Sequence, residues 1–334
     1  MSNSEYAQLR ELVRRDGLLE KKPLYYVYKN FFNLTLLAVC LTVLMVVNIF
    51  WIQLLDAIFL AFIFGQVASV GHDAGHNQIS RSMFGNKVMI IASSFFIGIS
   101  RSWWVEVHNE HHANPNDLDK DPNTRTSILA FSKSQAEKSR GFQRFLLPYQ
   151  CIYFIPLFSL NGLGMKIASI QFLFREKKVG PCIEQLSIMA LHFALYFGFI
   201  FSVMNVSHAI MFIVANQVLF GLYTASIFAP NHKGMLIVDN EMKLDFLRSQ
   251  VLTSRNITPS WFISFWYGGL NFQIEHHLFP SMPRYNLGKA RLIVKDFCER
   301  HGVSYCETSF VESWKQIFGS LRQAITPLRS NRAS

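Results

Sequence analysis

The chain has 334 residues, of which 50% are hydrophobic, 14% aromatic and only 16% charged. A soluble domain carries about 25% charged residues, so this is not the composition of an ordinary cytosolic protein, and 31 Phe beside only 11 Pro and 18 Gly exclude a disordered or collagenous chain. The net charge of +10 comes with no nucleic-acid recognition motif, and contact with anionic lipid headgroups accounts for it.

Taken in chain order, residues 1–30 start polar and then place Leu9, Leu12, Val13, Leu18 and Leu19 among Arg10, Arg14 and Arg15, an amphipathic helical pattern. The short apolar core of a cleavable signal peptide is absent there, and this segment is expected on the cytoplasmic membrane surface. Lys and Arg are then missing from residues 30–80 and again from residues 179–232. An even spread would put roughly ten in these stretches, so they read as membrane regions, each long enough for two crossings of about 20 residues. The first hairpin (residues 31–71) is expected as helices 31–50 and 52–71 turning at 48–53, and the second (residues 186–228) as helices 186–205 and 206–228 turning at 205–208. Neither turn carries a positive charge, whereas residues 1–30, 72–185 and 229–334 are rich in it, which puts those three segments in the cytoplasm together with both termini. Apolar stretches 88–100 and 146–173 are too short, or too interrupted by Pro148, Pro156, Asn161 and Gly164, and read as interfacial or buried helices. With no repeat and no Gly/Ser-rich linker, residues 1–334 form one expected domain. It is an all-α integral membrane, multi-pass protein with four transmembrane helices in two hairpins and a cytoplasmic helical cap holding a di-metal site.

The chemistry lies in the histidines. Seven of the 11 fall in three clusters, His72-Asp-Ala-Gly-His76, His108-Asn-Glu-His111-His112 and Gln273-Ile-Glu-His276-His277, all on the cytoplasmic side of the expected topology. His72 and His76, and His108 and His112, are four apart and share a helix face. Imidazole is the commonest ligand for iron, zinc and copper, and seven exceed the needs of one tetrahedral ion, so two metals are inferred. His232, in Pro230-Asn231-His232 at the end of the fourth span, is an eighth candidate. His192, His208 and His301 are expected to be structural. Asp73, Glu110 and Glu275 lie inside the clusters and Glu106 just upstream, where a carboxylate can orient a metal-bound imidazole; Asn231 and Gln273 are further candidates for that shell. Residues 114–123 have the composition of a calcium loop without its central Gly and final Glu, and read as a plain loop. The five Cys are odd in number and contain no C-x-x-C pair, which excludes a disulfide framework and a Cys-ligated zinc or iron–sulfur centre.

The phrases HDAGH, HNEHHANPN and NFQIEHHLFP, in this order and on one side of the membrane, resemble the membrane fatty acid desaturase family over residues 30–290. They are most similar to bacterial acyl-CoA or linoleoyl-CoA desaturases and to eukaryotic front-end desaturases. The resemblance implies a di-iron centre held by His72, His76, His108, His111, His112, His276 and His277, with His232 matching a further ligand. Gln273 stands where many members have His, as in the front-end group, and the His-Pro-Gly-Gly signature of a fused cytochrome b5 domain is not found. Removing hydrogens from an unactivated acyl chain needs metal-activated dioxygen. The implied reaction therefore consumes O2 and two electrons and leaves water and a cis double bond. With no nucleotide fingerprint, and no bound flavin, NAD or haem expected, the electrons come from ferredoxin or from cytochrome b5 with its reductase. The acyl substrate, as a CoA or lipid ester, is expected in a tunnel lined by Trp103, Trp104, Trp261, Phe265 and Trp266, with Phe95, Phe96, Phe262 and Tyr267 nearby. The competing readings are a lipid, sterol or carotenoid hydroxylase on the same scaffold, a membrane metal transporter and a zinc metalloprotease. The clusters lie outside the spans, against transport, and no His-Glu-x-x-His occurs, against the protease.

Overall fold

The computed structural model describes residues 2–176, 179–239 and 241–330. In chain order the helices are α1 (Ser2–Arg15), α2 (Pro23–Val46), α3 (Phe50–Gly75), α4 (Met83–Ile97), α5 (Arg101–Ala113), α6 (Lys133–Lys138), α7 (Gly141–Leu146), α8 (Gln150–Ser159), α9 (Asn161–Arg175), α10 (Val179–Val203), α11 (Val206–His232), α12 (Phe246–Leu252), α13 (Trp261–Trp266), α14 (Gln273–Leu278), α15 (Arg284–Arg300), α16 (Phe310–Ala324) and α17 (Thr326–Ser330). The chain divides into two compact units. One comprises residues 21–106 and 157–225, the other residues 1–20, 107–156 and 226–334.

The first unit is built on the apolar helices. Four helices, α2, α3, α10 and α11, are long and apolar enough to cross a membrane. The turns fall at residues 47–49 and 204–205, tighter than the sequence suggested, so Gln53 and His208 lie inside helices. The apolar stretch 83–97 continues into α5 through a 106° bend, because Gly98 adopts a left-handed φ of 74° that ends α4. Helix α3 is the hub: 61% of its most apolar window is enclosed, against 22% for α2 and 17% for α10. Outward residues such as Leu24, Phe31, Val46 and Trp51 are exposed apolar side chains, as a lipid solvent requires. Ala57, Leu60, Ala61 and Phe64 of α3 meet Cys40 and Leu44 of α2 and Phe212 and Phe220 of α11 in one core. The approach of α11 is set by Gly65, where a Cβ would lie 1.9 Å from the Tyr223 ring. Beside it Gln66 donates to Tyr223 Oη at 2.8 Å and accepts from Lys29 Nζ at 3.3 Å, so the one cation of α2's first turns is turned inward.

In the second unit, Leu9 and Val13 of α1 pack with Leu247 and Val251 of α12, Ile274 and Leu278 of α14, and Leu287, Ala290, Val294 and Phe297 of α15. The apolar stripe of the N-terminal helix is therefore spent on protein, not on the membrane surface expected for it, since Leu9 and Val13 are both 0% exposed. Tyr6 Oη donates to the Leu278 carbonyl at 2.8 Å, and Asn286 Nδ2 to the Leu18 carbonyl at 2.7 Å. The expectation of helix throughout also needs correction. Asn256–Ile257 and Glu307–Thr308 pair as a two-residue parallel ladder, too short for any alternation to reveal.

Truncating Leu9 to Ala would leave a cavity in this core and is expected to cost about 3 kcal/mol. A thermal melt in detergent should show the midpoint falling by several degrees, whereas a helix merely resting on lipid would show no such loss.

Candidate metal centre

In the first unit, α3 carries His72 and His76 at its C-terminal end, where Asn77, with φ of 56°, terminates the helix. The two rings lie 4.9 Å apart. Trp104 packs edge-on against both, at 5.6 Å from His72 and 6.2 Å from His76, and this needs Gly75, whose added Cβ would lie 2.3 Å from the indole. Asp73 Oδ1 takes Nδ1 of His72 at 3.1 Å while Oδ2 takes the Tyr26 hydroxyl at 2.8 Å. The carboxylate accepts, so the ring proton sits on Nδ1 and the lone pair on Nε2.

The second unit gathers the remaining six. The last turns of α5 supply His108, His111 and His112, the end of α11 supplies His232, and α14 supplies His276 and His277. Nε2 of His112 lies 3.1 Å from Nε2 of His108 and 3.1 Å from Nε2 of His276. A second group joins His111, His232 and His277, all buried, with ligand atoms within 4.8 Å of one another.

That second group shows how the rings are set. Nδ1 of His111 donates to Asp121 Oδ2 at 2.9 Å, Nδ1 of His232 to the Thr253 carbonyl at 3.0 Å, and Nδ1 of His277 to Gln250 Oε1 at 2.9 Å. All three acceptors lack a proton to give, so each ring is held as the tautomer with a lone pair on Nε2. Nε2 of His277 is buried with no hydrogen-bond partner among the described residues. Nε2 of His111 faces Nε2 of His232 at 3.3 Å, lone pair against lone pair. Burial, and then the rings of His112, His232, His111 and His276, push the His277 pKa far below its ordinary value, so the ring stays neutral and its lone pair free to bind a cation. These donors fit a transition metal ligated by imidazole and held by outer hydrogen bonds.

The loop after the second box does more than connect. Asp121 is fully buried. Although burial opposes its charge, the hydrogen bond from His111, with Lys233 and the Asn123 amide, holds its pKa at about 2. Its Oδ2 also accepts from the amide of Asn116 at 2.8 Å. Asn116, at φ of 56°, sends Nδ2 to the carbonyls of His232, Leu236 and Thr253 at 3.0, 3.1 and 3.1 Å. From the other side, the fully buried Arg255 guanidinium bonds the carbonyls of Pro230 and Lys233 and the side chain of Gln316, bracketing His232.

Other expected site residues fall elsewhere. Glu110 is half-buried and pairs with Arg125 at 3.0 Å, because its position on α5 points away from the three histidines. Glu106 likewise shows no imidazole contact among the described residues. Glu275 is buried between Asn256 Nδ2 at 2.7 Å and Tyr305 Oη at 2.8 Å, and desolvation, opposed by those two hydrogen bonds, lifts its pKa to about 7. It anchors the backbone of α14 to the two-residue ladder at Asn256–Ile257 and does not orient a ring. Gln273 directs its amide nitrogen to His232 Nε2 at 2.9 Å, while its oxygen takes Asn231 Nδ2 at 2.8 Å. Asn231 also reaches the Leu270 carbonyl at 3.0 Å. Of the expected tunnel residues, Trp104 meets the first box and Trp103 is half-buried, but Trp261 is 81% exposed and stacks on Phe265 at 5.7 Å. Trp266 donates to Ser226 Oγ at 3.0 Å. Short α13 turns Trp261 and Phe262 outward, so these two line no enclosed tunnel. His192 stacks on Tyr196, His208 on Phe50 and His301 on Phe297, as structural residues do. Sequence reasoning passed over Asp121, Gln250 and Thr253. Asp121 lies ten residues beyond His111, at no helical spacing, and Thr253 acts through its backbone.

Asp121→Asn removes the charge behind His111 and is expected to weaken metal binding about 10-fold to 100-fold, whereas Glu110→Gln leaves it unchanged. Titration of the purified variants with Fe(II) or Co(II) checks both.

The sequence profile described as fatty acid desaturase matches residues 49–309 of this chain. The Delta(6)-fatty-acid desaturase fat-3 of Caenorhabditis elegans is 27% identical over 348 residues, covering 98% of this chain and 76% of that protein. The Delta(8)-fatty-acid desaturase of Borago officinalis is 28% identical, covering 98% of this chain and 76% of its own length. Fatty acid desaturase 3 of Homo sapiens is 32% identical, covering 81% of this chain and 61% of that protein. With its buried histidine groups and its membrane-length helices, this chain belongs to the fatty acid desaturase family of oxidoreductases.

Proposed function

We propose that this desaturase is of the front-end type and uses two iron ions, with His72, His76, His108, His111, His112, His232, His276 and His277 as ligands. The observation that carries the metal assignment is the set of three imidazoles whose Nδ1 protons are tied to Asp121, Thr253 and Gln250 while their buried Nε2 lone pairs converge. Similarity to proteins named Delta(6), Delta(5) and Delta(8) desaturases, together with Gln273 at the head of the third box, supports the front-end reading. Iron bound there would supply the activation of dioxygen that breaking an unactivated C–H bond demands. Two electrons, two protons and O2 are consumed, two hydrogens leave adjacent carbons, and two waters and a cis double bond result.

The protein's own residues do the rest. Asp121, Thr253 and Gln250 hold ring orientation and tautomer, which raises ligand basicity. Arg255 and Asn116 fix the chain around His232. Burial of His111, His232 and His277 at 5%, 6% and 1% exposure excludes water that would quench the oxidant. The substrate is a long acyl chain carried as a CoA or lipid ester. The electrons come from ferredoxin or from cytochrome b5 with its reductase. The turns at residues 47–49 and 204–205 carry no positive charge, which supports two hairpins with the histidine clusters and both termini on the cytoplasmic side.

Expression with a reductase and carrier, followed by gas chromatography and mass spectrometry of total fatty acids, tests the reading. The expected result is a new acid with a double bond between an existing one and the carboxyl end, absent with His276→Ala. A hydroxylated acid in its place would establish the hydroxylase instead.

A further inference from the structure

Helix α16 begins at Phe310, one residue beyond the stretch matched by the family profile. Ser313, Ile317, Leu321 and Ala324 are buried and fix its inner face. Along the flank adjoining that face runs a groove of about 500 Å³ lined by Phe310, Val311, Trp314, Lys315, Phe318 and Arg322, with Val311 and Lys315 exposed and the three rings half-buried. At 100° per residue the three rings and Val311 form one continuous stripe, and Lys315 and Arg322 fall within 20° of each other along its margin. Seven residues separate the two cations, about 10 Å along the axis. Aromatic rings bordered by cations on one edge are the pattern of a helix lying in the headgroup layer, rings toward the acyl chains and ammonium or guanidinium toward phosphate.

The neighbouring helix supports the same reading. Trp314 and Phe318 pack edge-on against Phe154 of α8, at 6.5 and 6.0 Å between centroids, and Gln150 of α8 donates to the Leu321 carbonyl at 2.8 Å. Gly141–Ser159 and Asn161–Arg175, bent by 70° at the break between them, are together long and apolar enough to cross a membrane. The first of the two leaves Phe142, Phe145 and Ile152 at 72%, 59% and 74% exposed. A second copy of the chain fits the face less well, because a two-fold contact would bring like cations together.

We propose that the grooved flank of α16 is a docking surface for an anionic phospholipid leaflet, seating the C-terminal region in the membrane interface through the open edges of Trp314 and Phe318 and selecting acidic headgroups through Lys315 and Arg322. The proposal is independent of the metal assignment.

The test uses the full-length protein in vesicles containing brominated phosphatidylglycerol or brominated phosphatidylcholine. The fluorescence of Trp314 is read as the difference between wild type and Trp314→Phe. Quenching by both lipids, stronger with phosphatidylglycerol, is expected, and Lys315→Gln with Arg322→Gln should bring the two to parity. Equal quenching in the wild type would overturn the headgroup selection. No quenching by either lipid would overturn the docking surface, and if chemical crosslinking then traps a dimer through this helix, the face belongs to a second copy. Should Trp314→Phe fail to fold, photolabelling of the wild type with a diazirine phospholipid decides: adducts on residues 310–322 support the surface, and their absence refutes it.

Discussion

A neutral imidazole has one hydrogen and one lone pair, and where the hydrogen goes decides where the lone pair can act. The Asp121 carboxylate, the Thr253 carbonyl and the Gln250 side-chain oxygen can each only accept, so the protons of His111, His232 and His277 are committed outward to the protein frame and the lone pairs inward. This arrangement is unfavourable for the protein alone, since the buried Nε2 of His277 has no partner among the described residues and the Nε2 atoms of His111 and His232 face each other at 3.3 Å, with the Gln273 amide meeting only His232. The unit must hold that geometry against its own electrostatics. A metal ion would then recover the cost on binding, which couples metal affinity to folding.

The holding is done by groups outside the histidine boxes. Arg255 has no carboxylate partner among the described residues; its guanidinium is satisfied by the carbonyls that close α11 and by Gln316. That placement opposes the negative end of the helix and fixes the chain on both sides of His232. Asn116 joins the loop after α5 to the same turn by sharing one amide among three carbonyls. Gln250 is used twice, its oxygen on His277 Nδ1 and its nitrogen on the His112 carbonyl at 3.1 Å, so one side chain registers the second box against the third. These are buried hydrogen bonds in a low dielectric, where a satisfied network is rigid and a broken one is costly.

The parts legible in the sequence were those with a strong local signature. The absence of Lys and Arg located the long apolar helices, and the four-residue spacing of paired histidines picked out imidazoles that share a helix face. Boundaries drawn from charge were less accurate where a charge is turned inward. Lys29 suggested that α2 starts after residue 30, but its ammonium reaches Gln66 inside the unit, and the helix starts at Pro23. The supporting carboxylate was misplaced for a related reason. Glu110 is inside the second box, yet on a helix it lies off the face of its neighbours, and the role falls to Asp121 through a loop whose path depends on a left-handed Asn116. Backbone acceptors such as Thr253 leave no mark in the sequence, and a two-residue strand pair has no period to detect.

The amphipathic N-terminus illustrates how burial far from the chemistry is converted into position. A stripe of Leu and Val is equally suited to lipid and to protein, and here it packs on α12, α14 and α15. Helix α12 carries Gln250, and α14 carries His276 and His277. All six residues of α14 are buried. A helix of six residues has no independent stability, so its place is determined by what encloses it. Leu9 and Val13 from α1, Leu287 and Val294 from α15, and the Asn256 side chain that accepts from the Ile274 amide at 2.9 Å together leave α14 one seat. The two histidines are thus aimed by a hydrophobic core assembled largely from residues more than 200 positions away from α1. The site's precision and the second unit's stability have the same physical source.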